Sequence, residues 1–344
     1  MGRFAKIIPP CVIIWSVLVF CQPFAPADTI NIVFAGDVML ARSVGKIIDE
    51  NGVDYPFAAV KNIFDSADIS VVNLECVVGT QTRHIRKKWV FQARPSVLIG
   101  LVRAGIDCVS LANNHNYDFF GAGVVETVDS VWAAGIVPVG AGRNAEEFFA
   151  PRSFYVNGEW FTIFGLNDTK SGYWGDDEPG CAPTWKASGE SRAISQIKAM
   201  NKLGARVIVF EHWGREYDTI PQIRQVELAH KFIDAGAVIV VGAHPHRLQG
   251  IEFYRNGIIA YSLGNFIFDQ RDSLGNIGAL LKISTADGKI LSAKIIPTET
   301  LTNFAQPHPY PVKYAEKLWK KLCRPFNTKV MAEGSFLSIK PEQE

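Results

Sequence analysis

The sequence predicts an α/β fold, and three observations carry that prediction. Short apolar runs alternate with amphipathic stretches along most of the chain. The amphipathic stretches tend to close on a glycine, as helices do at their C-terminal ends. Polar residues with the most chemical potential fall just after the apolar runs, where α/β proteins hold ligands. The runs INIVFAG (30–36), ISVVNLE (69–75), DCVSLAN (107–113), IVPVG (136–140), FTIFGLN (161–167), ARVIVFEHW (205–213) and AVIVVGAH (237–244) read as strands. Between them, SVLIGLVRAGI, GVVETVDSVWAAGI, ESRAISQIKAMNKLGA and QIRQVELAHKFIDAGA read as helices. Alternation of this kind implies largely parallel strand pairing.

After residue 250 the rhythm changes. IEFYRNGIIAYSLGNFIF and IGALLKISTADGKILSAKIIPTE look like antiparallel strands, with RNG and ADGK as their hairpin turns. No repeat or low-complexity linker divides the chain. Residues 28–300 are therefore expected to form one domain, followed over 301–344 by a C-terminal helix and a tail. From about Arg324 no clear period is visible, so that tail is expected to be loosely held. A length of 344 residues with 48% hydrophobic content is ample for a full core. Thirty-five basic residues against thirty-four acidic ones give no general attraction to nucleic acid, which is not an expected partner.

Residues 1–27 differ from the rest. MGRFAK is basic, IIPPCVIIWSVLVFCQPF (7–24) is apolar, and APA ending at Ala27 has the small-x-small form of a signal-peptidase site. Pro9 and Pro10 argue against a buried core helix. The expectation is export to a periplasmic or extracellular location, by cleavage after Ala27 or with 7–24 kept as a membrane anchor. Export permits disulfides, and Cys76, Cys108, Cys181 and Cys323 lie beyond the segment. Cys108 reads as a core residue; Cys181, in a Gly/Pro-rich loop, is free to pair with Cys323, although spacing does not establish it. No CxxC pattern is present.

Five strand ends bring carboxylates, amides and imidazoles together. They carry Asp37; Asn73 and Glu75; Asn113, Asn114, His115 and Asp118; Glu211, His212 and Glu216; and His244 and His246. Oxygen and nitrogen ligands without thiolates suit divalent ions such as Mn²⁺, Zn²⁺ or Fe²⁺. Each motif also has a plain structural reading. Asp37 would serve as the cap of a helix starting near Arg42, NNH as a turn, and His212 as a packed interior histidine. His244 and His246 are harder to dismiss, because residues two apart on an extended segment face one side. RHIRKKWVFQARP (83–95) holds six basic residues around Trp89 and Phe91. It reads either as a solvated loop or as a basic rim, including Arg86 and Lys88, for an anionic polymer. SGYWGDDEPGCAPTW (171–185) is long and Gly/aromatic-rich, as lids are.

In their order and spacing, GDVMLAR, NLE, LANNHNYDFFG, HWGREY, GAHPHRLQGIE and YSLGNFIFDQ resemble the CapA family of capsule and poly-γ-glutamate synthesis proteins, a branch of the calcineurin-like metallophosphoesterases. The resemblance runs from about residue 30 to 300. It implies a four-layer α/β/β/α sandwich with a two-metal site at the strand ends. By that resemblance Asp37, Glu75, Asn114, His212, His244 and His246 are metal ligands, with Glu75 bridging and the last two histidines serving different ions. His115 would stand over the leaving group. Met39 occupies a position where the pattern has a histidine, so either one or two ions are expected. Asn73, Asp118, Glu216, Asn265, Arg86 and Lys88 are expected to contact substrate. The implied activity is metal-dependent hydrolysis, by a metal-activated water, of a phosphoester or anionic envelope polymer. The alternative is a non-catalytic polyanion-binding component working with membrane-bound polymer synthesis or export proteins.

Overall fold

The computed structural model describes residues 29–342, apart from 271, 273, 302 and 303. The basic-apolar segment expected to direct export lies outside the described residues. Among the described residues no helix is long and apolar enough to cross a membrane.

The chain is a mixed α/β protein built on a ten-stranded and a six-stranded sheet, with two short two-stranded pairings beside them. In the larger sheet Ile30–Val38, Ile69–Leu74, Cys108–Ser110 and Val137–Val139 lie parallel, in that spatial order. In the smaller sheet Glu159–Asn167, Arg206–His212, Ala237–Ala243 and Gly257–Ala260 do the same. Every expected strand is present. The helices between them are Leu98–Ala104, Phe120–Ala133, Ala187–Lys202 and Ile223–Asp234.

These central strands read as unbroken apolar runs because both of their faces are buried. On one face, Phe34 and Val71 of the larger sheet meet Phe210 and Val241 of the smaller one, all fully buried, in a single apolar slab. On the outer face of the larger sheet, Val33, Val72 and Val109 pack with Leu101, Val124 and Val128 of the helices. On that of the smaller sheet, Val209 and Val240 pack with Ile197, Leu228 and Phe232. Replacing a buried Phe such as Phe210 with Ala should cost about 3–5 kcal/mol.

The two hairpins form where RNG and ADGK placed them. Ile251–Tyr254 pairs with Gly257–Ala260, and Ile277–Ala286 with Lys289–Glu299. The loose tail is a correction. Val312–Cys323 is helical, but Thr328–Glu333 and Phe336–Pro341 then form a further hairpin whose second strand pairs with Lys289–Glu299. Val330, Leu337 and Ile339 alternate inward there and extend the slab between the sheets. Gly334, with φ of 61°, supplies the turn. A Cys181–Cys323 bridge is also absent. All four described cysteines are free and buried, Cys181 beside Asn167 and Cys323 beneath the Ile251 amide.

Candidate metal centre

The parallel strands of both sheets end at one place, and their register assembles the site. Asp37 lies opposite Asn73 on one side and Asn265 on the other. The opening strand bulges between Phe34 and Asp37, and Gly36 passes so close to Gly264 that a Cβ there would stand 1.9 Å from its carbonyl oxygen. This close approach brings the Asp37 amide to 3.1 Å from the same oxygen. Asp37 therefore does not cap the helix Arg42–Asn51, whose N-cap Ala41 has no side-chain bond.

Asn73 lies at the centre. Its Nδ2 donates to Asp37 Oδ1 at 2.8 Å and to Glu75 Oε2 at 3.3 Å, and lies 3.3 Å from His212 Nδ1. The Asn73 Oδ1 accepts from Asn113 Nδ2 at 3.2 Å, while Asn113 Oδ1 accepts the His115 amide at 3.1 Å. Asn113 is thus a scaffold for the turn that carries Asn114 and His115. His212 Nε2 lies 3.1 Å from Asn114 Oδ1, and its ring centroid is 4.7 Å from that of His244. His246 Nδ1 meets Asn265 Oδ1 at 2.8 Å and Asp37 Oδ2 at 3.2 Å, which turns Nε2 toward Glu75 Oε1, 3.7 Å away. Asn265, expected to contact substrate, instead orients His246.

Glu75 Oε1 is fully buried without a hydrogen-bond partner. The Nε2 atoms of His115, His212 and His246 stand 4.0, 4.0 and 3.7 Å from it. The His244 Nδ1 is a second buried atom without a partner. Unpaired buried polar atoms are costly, and both of these belong to residues whose ligand atoms converge. Ligand atoms of Glu75, His212 and His244 lie within 4.8 Å of one another, as do those of Asp37, Glu75 and His246, and those of Glu216, His244 and His246. The first two sets share Glu75, so one carboxylate reaches both. These residues fit a divalent cation: their donors are oxygen and imidazole nitrogen, and the orphaned atoms are the ones a cation would satisfy. Both His244 and His246 adopt positive φ, 95° and 53°, a strained conformation for non-glycine residues that concentrates at functional sites.

The electrostatics point the same way. Burial, then the Asp37 charge, raises the Glu75 pKa well above the usual carboxylate range. Burial would raise Asp37 too, but its bond to His246 and that ring's charge outweigh it and hold Asp37 low. Burial lowers His212 far below its ordinary value, with His244 and His246 adding to the effect, and brings His244 down to about 3. His246 is the exception. Burial opposes its protonation, yet Asp37 and Asn265 raise it.

Met39 is fully buried in the apolar layer under the helices, its sulfur 3.2 Å from the Ala41 amide, and contributes nothing to the cluster. Asp118 is a partner of His115 and lies outside the ligand sets: its Oδ2 sits 2.6 Å from His115 Nδ1. Burial lowers the His115 pKa, partly offset by Asp118. Glu216 is exposed at the open side of the cluster, held near it by the Tyr217 amide on the Pro245 carbonyl at 2.8 Å. Arg86 and Lys88 are exposed and make no bond to the cluster; the Lys88 ammonium lies over the Trp89 ring. The basic residue of that stretch that reaches inward is Lys87, which in sequence is indistinguishable from its basic neighbours. Its Nζ donates to the Asn114 carbonyl at 2.8 Å and Asp118 Oδ1 at 3.2 Å. The 171–185 segment packs Trp174 on Tyr117 at 5.2 Å between ring centroids, next to the His115 turn.

Glu211, one residue before His212, points to the opposite face of its strand. There Thr184 Oγ1 donates to Glu211 Oε1 at 2.6 Å, and Arg224 bonds Asp168 at 2.8 Å and Glu190 at 2.6 Å.

An α/β protein whose two sheets converge on a buried carboxylate–imidazole cluster of this composition is, by class, a candidate metalloprotein. Residues 31–270 match the family described as bacterial capsule synthesis protein PGA_cap. The chain belongs to that family. It is 30% identical over 325 residues to the capsule biosynthesis protein CapA of Bacillus anthracis, covering 92% of this chain and 77% of that protein. It is 33% identical over 248 residues to the PGA biosynthesis protein CapA of Bacillus subtilis, covering 71% of this chain and 64% of that one. A probable polyglutamine synthesis accessory protein of Mycobacterium tuberculosis is 25% identical over 328 residues, 78% of this chain and 84% of its own length.

Proposed function

We propose that this protein is a metal-dependent hydrolase acting on a phosphoester or another bond of an anionic capsular or envelope polymer. The family and the printed roles of its relatives support a part in capsule-polymer synthesis. The single observation that carries the hydrolytic reading is the orphaned Glu75 Oε1 facing three imidazole Nε2 atoms. Asp37, Glu75 and His246 would hold one divalent ion, and Glu75, Asn114, His212 and His244 a second. Bound there, such ions acidify a water and polarise a phosphoryl oxygen. His115 faces the same space through Nε2 while Asp118 holds its Nδ1 proton, so Nε2 is the atom through which it would handle the leaving group's proton. Asn73 and Asn265 keep the carboxylates and His246 in place. The three apolar clusters, one between the sheets and two outside them, support reading the architecture as the four-layer α/β/β/α sandwich.

Purified protein loaded with Mn²⁺ or Zn²⁺ should bind metal in stoichiometric amount and turn over bis-p-nitrophenyl phosphate. Protein that stays metal-free and inactive after addition of either ion overturns the reading.

Met39, buried where the family pattern has a histidine, favours a second reading: a non-catalytic, polyanion-binding component of a membrane-associated polymer machine. In that case His115→Ala leaves polymer production intact, whereas charge removal in 83–95 impairs it. Export is proposed as well, from the basic, apolar and APA segments in sequence. Mass spectrometry of the mature N-terminus distinguishes cleavage after Ala27 from a retained anchor.

A further inference from the structure

The basic stretch 83–95 is docked onto the turn that carries His115, and more of its bonds converge there than a surface loop requires. The Ile85 amide donates to the Asp118 carbonyl at 2.9 Å, and the Phe91 amide to Asp118 Oδ2 at 2.9 Å. The Phe91 ring stacks on the His115 imidazole with centroids 3.9 Å apart and planes 20° off parallel. Lys87 is central to this docking. Besides its bonds to the Asn114 carbonyl and Asp118 Oδ1, its ammonium lies 3.3 Å from His115 Nδ1. Its side chain is only 31% exposed, and the Asp118 carboxylate it meets is fully buried.

Fixing an imidazole takes two restraints, one on the tilt of its plane and one on the direction of its ring nitrogens within that plane. Phe91 fixes the first. Asp118 fixes the second, provided the carboxylate itself cannot turn. Its Oδ2 is occupied by His115 and the Phe91 amide, and Oδ1 is held by Lys87. A lysine that merely fastened the loop would need only the carbonyl bond. This one also grips the carboxylate that aims the ring.

We propose that Lys87 is a positioning residue for His115, holding Asp118 and the Asn114 carbonyl so that His115 Nε2 stays directed at the space beside Glu75. Arg83, Arg86 and Lys88 of the same loop are exposed. An anionic chain lying along them therefore contacts the segment that orients the reacting histidine. The kinetic part of this inference rests on the hydrolysis proposed above; the orientation of the ring does not.

The test uses the full chain with Lys87→Met, Lys87→Arg and, as a control on the exposed charges, Arg86→Ser with Lys88→Ser. In metal-free protein with ¹⁵N-labelled histidine, the His115 Nδ1 proton, assigned by its loss in His115→Ala, should be protected in the parent. It should be lost to solvent exchange in Lys87→Met. In Mn²⁺-loaded protein Lys87→Met should lower kcat roughly ten- to a hundredfold, the scale of a slightly misplaced catalytic group. KM and bound Mn²⁺ should not change, and Lys87→Arg should recover part of kcat. The double serine variant should leave the His115 proton protected. Unchanged protection and kcat in Lys87→Met overturn the proposal, as does an effect confined to KM or to metal content. If Lys87→Met fails to fold, Lys87→Gln, which keeps one donor without the charge, is read by the same criteria. Absence of turnover in the metal-loaded parent rejects the hydrolysis, and the ring proton alone then decides the role of Lys87.

Discussion

Two buried polar clusters lie on opposite faces of the smaller sheet, one residue apart in sequence. On the face of Glu211, the acids Asp168 and Glu190 find their cation within the chain, in Arg224, with Lys231 also bonded to Glu190 at 2.7 Å. On the face of His212, Asp37 and Glu75 share a buried space with four histidines, His115, His212, His244 and His246, and Glu75 Oε1 and His244 Nδ1 have no partner. In the first cluster the charges of Asp168 and Glu190 are matched within the chain, although Glu211 Oε2 has no hydrogen-bond partner. The second has the acceptors of such a cluster without enough positive charge to match them. A buried charge without compensation is costly, and this contrast supports the proposal that the second cluster takes a cation from outside.

The largest test of that contrast is Glu75→Ala. It should lower Mn²⁺ or Zn²⁺ affinity by more than about a hundredfold by isothermal titration, above the loss typical of an outer-sphere partner. Arg224→Met should do the reverse, leaving metal uptake intact while costing about 2 kcal/mol in urea unfolding. That figure sits below the range for a fully buried pair because the Arg224 side chain is 36% exposed. If both variants lose metal, the clusters are not independent.

Asn265→Ala should reduce metal affinity about tenfold, because it frees His246 Nδ1 without removing a ligand. A smaller effect is expected from Glu211. Burial, then the charge of Asp168, raises its pKa well above the usual range. An acid whose folded pKa exceeds its unfolded value keeps its proton while the unfolded chain releases one. Stability therefore falls as pH rises past the unfolded pKa, and levels off above the folded one. Glu211→Gln should flatten this slope by up to about 1.4 kcal/mol per pH unit, measured as melting temperature from about pH 5 to about pH 8. The smallest expected signal concerns the thiols. Burial pushes Cys76 and Cys181 up to about 12 and Cys323 up to about 11, and raises Cys108 as well. None of these four should react with Ellman's reagent in the native protein at pH 8, and all should react in denaturant. Early reaction of Cys181 or Cys323 would show that the loop or the C-terminal helix opens locally.

The strands and their C-terminal ends were legible because both faces of a parallel strand are buried, which leaves apolar runs punctuated by the polar residues at the site. Asp37, Asn73, His212, His244 and His246 were found in this way. Asn73 was assigned to substrate, and its place among the carboxylates follows from the strand register, which sequence does not supply. Lys87 was hidden for a different reason. It lies in a stretch without periodicity, among basic neighbours of the same kind, and only the docking of that loop distinguishes it. The C-terminal hairpin carries only a weak signal in sequence, the alternation of Leu337 and Ile339 after the turn at Gly334.

Glu75, Asp37 and Asn73 reach the site from the larger sheet, whereas His212, His244 and His246 reach it from the strands of the smaller one or the turn after them. An ion held by both sets would be a rivet joining the two sheets where their strands end. Its occupancy and the seam between the two sheets are linked, and at a free concentration a hundredfold above its dissociation constant it would add about 2.7 kcal/mol against their separation. Chelation should then be felt well away from the site, as faster amide exchange along Ile208, Phe210 and Val241 and the facing Phe34 and Val71.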